Sequence, residues 1–356
     1  MDFGIFNLMG CRDPNKPTAQ VFAEVAEQTR RADALGYGIA WFAEHHFSNY
    51  SLCASPLMLI AHVAPLTQRI RLGTAVIVAP LYNPARLVAE IATVDALTNG
   101  RLMLGVGSGY QPYEFERFGE DLAVSAKQTE EMLDIIELGL TRDFFTYEGT
   151  HYKLPKTHIA ARPVQKKIPI YVAGHSVPLF RLAARHGYKP LSSGRTESLP
   201  WLIEQRRDCD EAYKAEGKPV EQAELSLLRF CCITDSREEA LRYAENARYQ
   251  TRLASGLRRR EEVMEGTMLV DRPYPNEPPL ETLVDNMPIG SVERVAETLI
   301  AEIRACKPAH ICFNFQCGNE PIKAAMRSME LFATEVRPRL ERALGPLDRL
   351  GLAQAA

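Results

Sequence analysis

The chain reads as an α/β protein, a closed (β/α)8 TIM barrel, and three observations lead there. Short apolar runs alternate with amphipathic helical stretches along almost the whole sequence, which favours a parallel sheet covered by helices. Eight strand–helix units follow one another, the number with which such a sheet closes on itself. No internal repeat, low-complexity tract or linker divides them, so residues 1–340 are expected to form a single domain and 341–356 a C-terminal tail that frays.

The first strand is expected at Phe3 to Leu8, followed by a helix from Ala19 to Leu35 whose Val21, Val25, Ala32 and Leu35 share an apolar side and which Gly36 stops. Ile39 to Ala43 is the second strand, Pro56 to Ala64 the next helix, and Ile70 to Val78 the third strand. Asn83-Pro84 caps a helix running to Leu97. Leu102 to Val106 is the fourth strand and runs into the glycine-rich GVGSGY, after which Val124 to Leu140 is a long helix. Phe144 to Leu154, with Glu148-Gly149 at a turn, reads as a hairpin inserted in the series. Strand five is Ile170 to Ala173, strand six Lys189 to Ser192, strand seven Leu225 to Ile233 and strand eight His310 to Phe315. Their helices are Leu179 to Arg185, Leu199 to Glu216, one starting near Ser236, Val292 to Ala305 and Pro321 to Val336. Residues 258–287 lose all periodicity and hold four prolines, Pro273, Pro275, Pro278 and Pro279. A stretch of that kind is expected to be a mobile, lid-like loop.

Composition narrows the function. The 356 residues are 46% hydrophobic, enough for a full core, with a formal net charge of −3. The longest basic cluster, Arg258-Arg259-Arg260, is followed at once by Glu261-Glu262, so no nucleic acid partner is expected. No apolar run approaches the ~20 residues needed to span a bilayer, so no membrane association is expected. MDFGIFNLMG reads as a first strand and not as a signal peptide. Eight cysteines without a CxxC pair read as buried reduced thiols of a cytoplasmic protein, and no metal site is expected.

The chemistry concentrates where strands end. Glu44-His45-His46 follows the second strand directly, and catalytic groups of such barrels sit at the C-terminal ends of strands. If the barrel closes, the same rim collects Ala75-Val76 with the following Val78-Ala79-Pro80, the loop Gly107-Ser108-Gly109-Tyr110, and Gly174-His175-Ser176. The glycines of the Gly107–Tyr110 loop let an anion approach backbone N–H groups. Ser176 stands where a helix begins, so its hydroxyl and the helix N-terminus suit a phosphate. Each signal alone has a plainer account: a solvated loop for the EHH triplet, a turn for GVGSGY, which lacks the third glycine of a dinucleotide fingerprint, and a simple helix cap for Ser176. Their convergence on one rim is what gives them weight.

The stretches WFAEHHFSNY, RIRLGTAVIVAPLYNPARLVAEIATVDALTNGRLMLGVGSGY, PIYVAGHS and PIGSVERVAETL, leading into FNFQCGNEPIKAAMRSMELFATEVRP, resemble the bacterial luciferase-like flavin monooxygenases from about Met1 to Leu340. The resemblance implies a (β/α)8 barrel that takes reduced FMN from a separate NAD(P)H-dependent flavin reductase. With O2, a flavin hydroperoxide then oxygenates a small organic substrate. Matched by position, His45 falls on the family's catalytic histidine, flanked by Glu44 and His46. Ala75-Val76 falls on a pair often joined by a cis peptide beneath the flavin ring, and Gly107 to Tyr110 with Gly174, His175 and Ser176 fall on the cofactor-binding region.

Three positions depart from the luciferase α subunit. Gly107 replaces a reactive cysteine, Ser108 a phosphate-contacting arginine, and His175 a glutamate, which together favour a non-luminescent enzyme. His45 is the expected proton-transfer group, with Glu44 orienting it and His46 near substrate or supporting the loop. Phe6, Phe47, Tyr50, Tyr110 and Tyr113 are candidate pocket aromatics, and a homo-oligomer is expected by likeness. Two other readings share these motifs: a deazaflavin-dependent hydride-transfer enzyme and a non-catalytic flavin-binding partner subunit.

Overall fold

In the computed structural model, which describes residues 1–350, eight parallel strands close into a barrel. They are β1 (Asp2–Asn7), β2 (Ile39–Phe42), β3 (Arg71–Thr74), β4 (Leu102–Gly107), β5 (Ile170–Ala173), β6 (Lys189–Ser193), β7 (Ser226–Phe230) and β8 (His310–Asn314). Each pairs with its neighbours in chain order. The ring closes where β8 meets β1, with Asp2 opposite His310, and β3 meets β4, with Leu72 opposite Leu102. Twelve helices are described: α1 (Thr18–Ala34), α2 (Pro56–Val63), α3 (Pro84–Leu97), α4 (Pro112–Phe118), α5 (Ser125–Thr141), α6 (Val177–His186), α7 (Leu199–Ala215), α8 (Arg237–Arg259), α9 (Leu280–Asn286), α10 (Val292–Cys306), α11 (Ile322–Leu331) and α12 (Arg337–Leu344).

Side chains alternate between barrel interior and helix layer, as a two-residue period requires. Trp41 of β2 reaches across the interior to Tyr171 of β5, ring centroids 4.9 Å apart, and donates its Nε1–H to His310 Nε2 of β8 at 2.9 Å. Following the registers up from these residues, Ala43, Ala75, Gly107 and Ala173 make the topmost inward positions of strands β2 to β5. Phe6, Phe230 and Asn314 are the last inward residues of β1, β7 and β8.

The structure differs from the expected elements in five places. The third strand breaks at Ala75–Val76, a cis peptide, and resumes as Ile77–Val78 beside Val106–Gly107. The seventh stops at Phe230, because Cys232–Ile233 leaves the barrel to pair with Ile289–Gly290. Helix α4, directly after the glycine-rich loop, has no counterpart in the sequence reading. The last helical stretch passes through a π-turn at Phe332–Val336 and continues as α12. Finally, residues 258–287 are not wholly irregular. They carry the end of α8, a two-stranded ribbon of Met264–Glu265 and Met268–Leu269, and α9.

That segment folds back on α8 through charge pairs. Arg252 grips Glu277 with Nε and a terminal nitrogen at 2.7 and 2.6 Å, and Leu269 N–H donates to Asn49 Oδ1 at 2.8 Å. The hairpin Phe145–Glu148 with Lys153–Thr157 is present as expected. All eight cysteines are buried and unpaired. Of the tail, Leu347 is buried and its carbonyl accepts the terminal amine of Met1 at 2.7 Å, while residues 351–356 lie outside the described residues. No described helix is long and apolar enough to cross a membrane.

Candidate active site

All eight strands run the same way, so the loops that follow them meet at one rim. His45, three residues past β2, and Ser176, three past β5, share it. What the rim does with the EHH triplet follows from alternation. Consecutive residues leaving a strand point to opposite sides, and the triplet splits accordingly.

His45 turns toward the mouth. Its Nδ1 lies 3.0 Å from Glu114 Oε1 on α4 and 3.1 Å from Gln111 Nε2, and its ring packs on Tyr50 and Tyr110 with centroids 4.7 and 5.7 Å away. A carboxylate only accepts, so Glu114 places the proton on Nδ1 and leaves the Nε2 lone pair exposed. Among the described residues Nε2 has no hydrogen-bond partner. Glu114 is buried and also accepts the backbone N–H of His46 at 2.7 Å, which fixes the loop that carries His45.

Glu44 and His46 turn the other way. Glu44, 1% exposed, accepts from His46 Nε2 at 2.9 Å, from the Tyr82 hydroxyl at 2.8 Å and from Val78 N–H at 3.3 Å. Burial pushes its pKa up, and His46, Tyr82 and the Val78 amide only partly offset that. The pair floors a cavity of about 620 Å³ lined by Leu57 and Met58 of α2, Ala89 and Thr93 of α3, and Phe118 of α4. Glu44 thus partners His46 and not His45, and the orienting role expected of it falls to Glu114. Of the candidate aromatics, Tyr50 and Tyr110 border His45. Phe47 is exposed on the groove side near Phe118, Tyr113 is buried with its hydroxyl toward the Phe47 carbonyl, and Phe6 sits inside the barrel.

A hydrogen-bonded chain crosses the mouth beside His45. Gln111 Nε2 donates to the Tyr110 hydroxyl at 3.1 Å, Tyr110 donates to Tyr50 at 3.2 Å, and Tyr50 accepts from Arg195 at 3.1 Å. Burial drives the Tyr110 phenol well above its ordinary range, so it stays protonated. Sequence reasoning missed Glu114, Gln111, Arg195 and Arg258. The signal available for the first two was Gln111-Pro112, a proline in the first turn of α4.

The expected cofactor region is assembled from three loops. A Cβ on Gly107 would come within 2.8 Å of Val76 Cγ2, so glycine there admits the side chain that follows the cis bond. Gly109 has φ +76°, and a Cβ would meet the Phe115 ring at 2.5 Å. Ser108 is half-buried beside it. Gly174, His175 and Ser176 lead into α6, where the Ser176 hydroxyl caps nothing, whereas those of Ser55, Ser236 and Ser291 accept from their own helices. Arg258, at the end of α8, lies over the Tyr110 ring at 4.8 Å. Burial, and then the Arg258 charge, lowers the pKa of His175, whose ring meets Trp201 edge-on.

Tested against FMN, these residues fit. An uncommitted serine hydroxyl at a helix N-terminus, with a guanidinium and an imidazole nearby, suits a phosphate. The small residues Ala43, Ala75, Gly107 and Ala173 leave room for a flat ring system.

The chain is 40% identical over 347 residues to the uncharacterized protein y4vJ of Sinorhizobium fredii, covering 97% of this chain and 99% of that one. It is 30% identical over 247 residues, 67% of each chain, to the oxygenase component of the flavin-dependent trigonelline monooxygenase of Acinetobacter baylyi. The fold matches the oxygenating constituent of 3,6-diketocamphane monooxygenase from Pseudomonas putida, solved with FMN, at a TM-score of 0.78 and 22% identity over 95% of this chain and 98% of that one. It also matches an F420-dependent secondary alcohol dehydrogenase, at 0.72 and 18% over 95% and 98%. A family model described as luciferase-like monooxygenase covers residues 1–305, and the chain belongs to that family.

Proposed function

We propose that this protein is the oxygenase of a two-component flavin monooxygenase, using reduced FMN and O2 to oxygenate a small organic substrate. The observation that carries the reading is His45, held by Glu114 with Nε2 free, on the same rim as the cis Ala75–Val76 bond and the uncommitted Ser176 hydroxyl. Reduced FMN, when bound, supplies the electrons and activates O2. Ala75, Val76 and Gly107 would seat its ring, while Ser108 to Tyr110, Gly174 to Ser176 and Arg258 would hold the phosphate.

The protein's own work is then proton handling and exclusion of water. Nε2 of His45 accepts or returns a proton at the reacting centre, and Glu114 stabilises the imidazolium that forms. Tyr50 and Tyr110 wall that centre with their rings. The segment 260–279 closes over the mouth from α8 and sheds water from it. Glu44 and His46 support the loop from behind.

The trigonelline enzyme is named as an oxygenase component, which supports a separate NAD(P)H-dependent reductase here too. Self-association through the groove above Glu44 fits the exposed Met58 and Phe118 that border it. The F420-dependent neighbour supports one other reading, hydride transfer with a deazaflavin.

Mixing the protein with chemically reduced FMN, 18O2 and a library of small organic compounds tests the proposal. One labelled oxygen atom in a product is the expected result. Turnover with a reduced deazaflavin, without O2 uptake, would replace it by hydride transfer.

A further inference from the structure

One cation at the barrel mouth has no work in the scheme above. Arg195 follows β6, and the loop carrying it is clamped from below. The Arg229 guanidinium, fully buried and paired with Glu302 at 2.7 Å, donates to the carbonyls of Gly194 and, at 2.9 Å, Glu197. Asn286 donates to the Thr196 carbonyl and Phe230 N–H to that of Arg195 itself, at 3.4 and 3.3 Å. A backbone fixed at four successive carbonyls presents its one long side chain in a set direction.

That side chain has no salt-bridge partner among the described residues, although Glu197 is two residues away. Its only side-chain hydrogen bond there goes to the Tyr50 hydroxyl, and its guanidinium lies 5.9 Å from the centre of the Phe230 ring. Tyr110, the next group in the chain, stays a phenol and supplies no negative charge. A half-buried guanidinium without an acid is costly, and its planar fork of donors matches a carboxylate.

A second unsatisfied group stands nearby. Asn314 of β8 is opposite Phe230 in register and buried, and neither its Oδ1 nor its Nδ2 has a partner. The phosphate side of the rim, by contrast, has its own cation in Arg258.

We propose that the substrate is an organic anion whose carboxylate is received by Arg195 beside Tyr50. This rests on the rim being the reaction site. The Tyr50 ring, 4.7 Å from that of His45, then separates the anchored end of the substrate from the proton-transfer group by one aromatic thickness.

Benzoate and benzamide, alike in shape and different in charge, test this by calorimetric titration with and without FMN. The wild type should bind benzoate at least about 10-fold more tightly than benzamide. Arg195→Gln should remove that preference and leave benzamide unchanged, Arg195→Lys should restore part of it, and FMN and riboflavin affinities should stay as in the wild type. Equal binding of the two probes by the wild type, no benzoate binding, or a preference that survives in Arg195→Gln would overturn the proposal. So would a loss of FMN but not riboflavin affinity in Arg195→Gln, which would assign the guanidinium to the phosphate. Absence of oxygenation with reduced FMN would sink the monooxygenase reading while leaving the benzoate preference standing, so the two failures are distinct.

Discussion

Glu114 Oε1 lies 3.0 Å from His45 Nδ1, although the two residues stand in segments that follow different strands. The same oxygen accepts the His46 amide at 2.7 Å, so one carboxylate fixes both the tautomer of the imidazole and the backbone that carries it. The geometry needs α4, which lifts Glu114 from the glycine-rich loop back over the end of β2.

Replacing Glu114 with Gln removes the constraint on the tautomer without removing bulk. The expected effect is a fall in kcat of about 10- to 100-fold with FMN affinity nearly unchanged. His45→Ala should cost more, about 10²- to 10⁴-fold. Adding Glu114→Gln to His45→Ala should then cost almost nothing further, because the two act as one unit. Steady-state rates with chemically reduced FMN check this. A wild-type rate in His45→Ala would defeat the assignment.

The Ser176 hydroxyl caps no helix, so removing it should leave the fold intact. Ser176→Ala is expected to weaken FMN binding by about 10-fold, one hydrogen bond to a charged group, and to leave riboflavin binding unchanged. Fluorescence titration with both flavins reads the difference. Equal losses for the two would mean that Ser176 does not meet the phosphate.

His310 predicts how stability responds to acid. Its Nε2 accepts from Trp41 and its Nδ1 faces the Asp2 carbonyl at 3.1 Å, so the neutral ring satisfies both neighbours. Burial pushes its pKa down from 6.5 to about 4. Between those values the unfolded chain binds the extra proton and the folded chain does not. The His310 contribution is therefore complete above about pH 6.5 and falls as pH drops toward 4, by roughly 3 kcal/mol in all. Urea midpoints at pH 7.5 and 4.5 should show a smaller acid loss in His310→Gln than in the wild type. Equal losses would contradict this.

The segment 260–279 is tied at few points, chiefly Leu269 to Asn49 and Glu277 to Arg252. Hydrogen exchange should find the Leu269 amide protected and most of its neighbours weakly so, with protection rising when FMN and substrate are present. Full protection of the whole segment without ligand would count against a closing lid.

The barrel was legible because its signals are periodic and repeated. Asn83-Pro84 starts α3 where the cap rule puts it, and the eight strands lie within a few residues of their apolar runs. Short elements set by contacts distant in sequence were not legible. Helix α4 is seven residues long with too few turns to show a stripe, and the Met264–Leu269 ribbon pairs only two residues a side. Finding Glu114 required knowing that α4 folds back onto β2. The split of the EHH triplet was, in principle, readable from strand alternation. Adjacency makes Glu44 read as the orienter of His45, and alternation forbids that.

The central claim is that a flavin lies on the rim between His45 and Ser176. A crystal structure of the protein with FMN tests it most directly. The ring is expected beside Ala75–Val76 within hydrogen-bonding reach of His45, and the phosphate against Ser176 and Arg258. Flavin seated instead in the groove above Glu44 and His46, or with its phosphate away from Ser176, would contradict it.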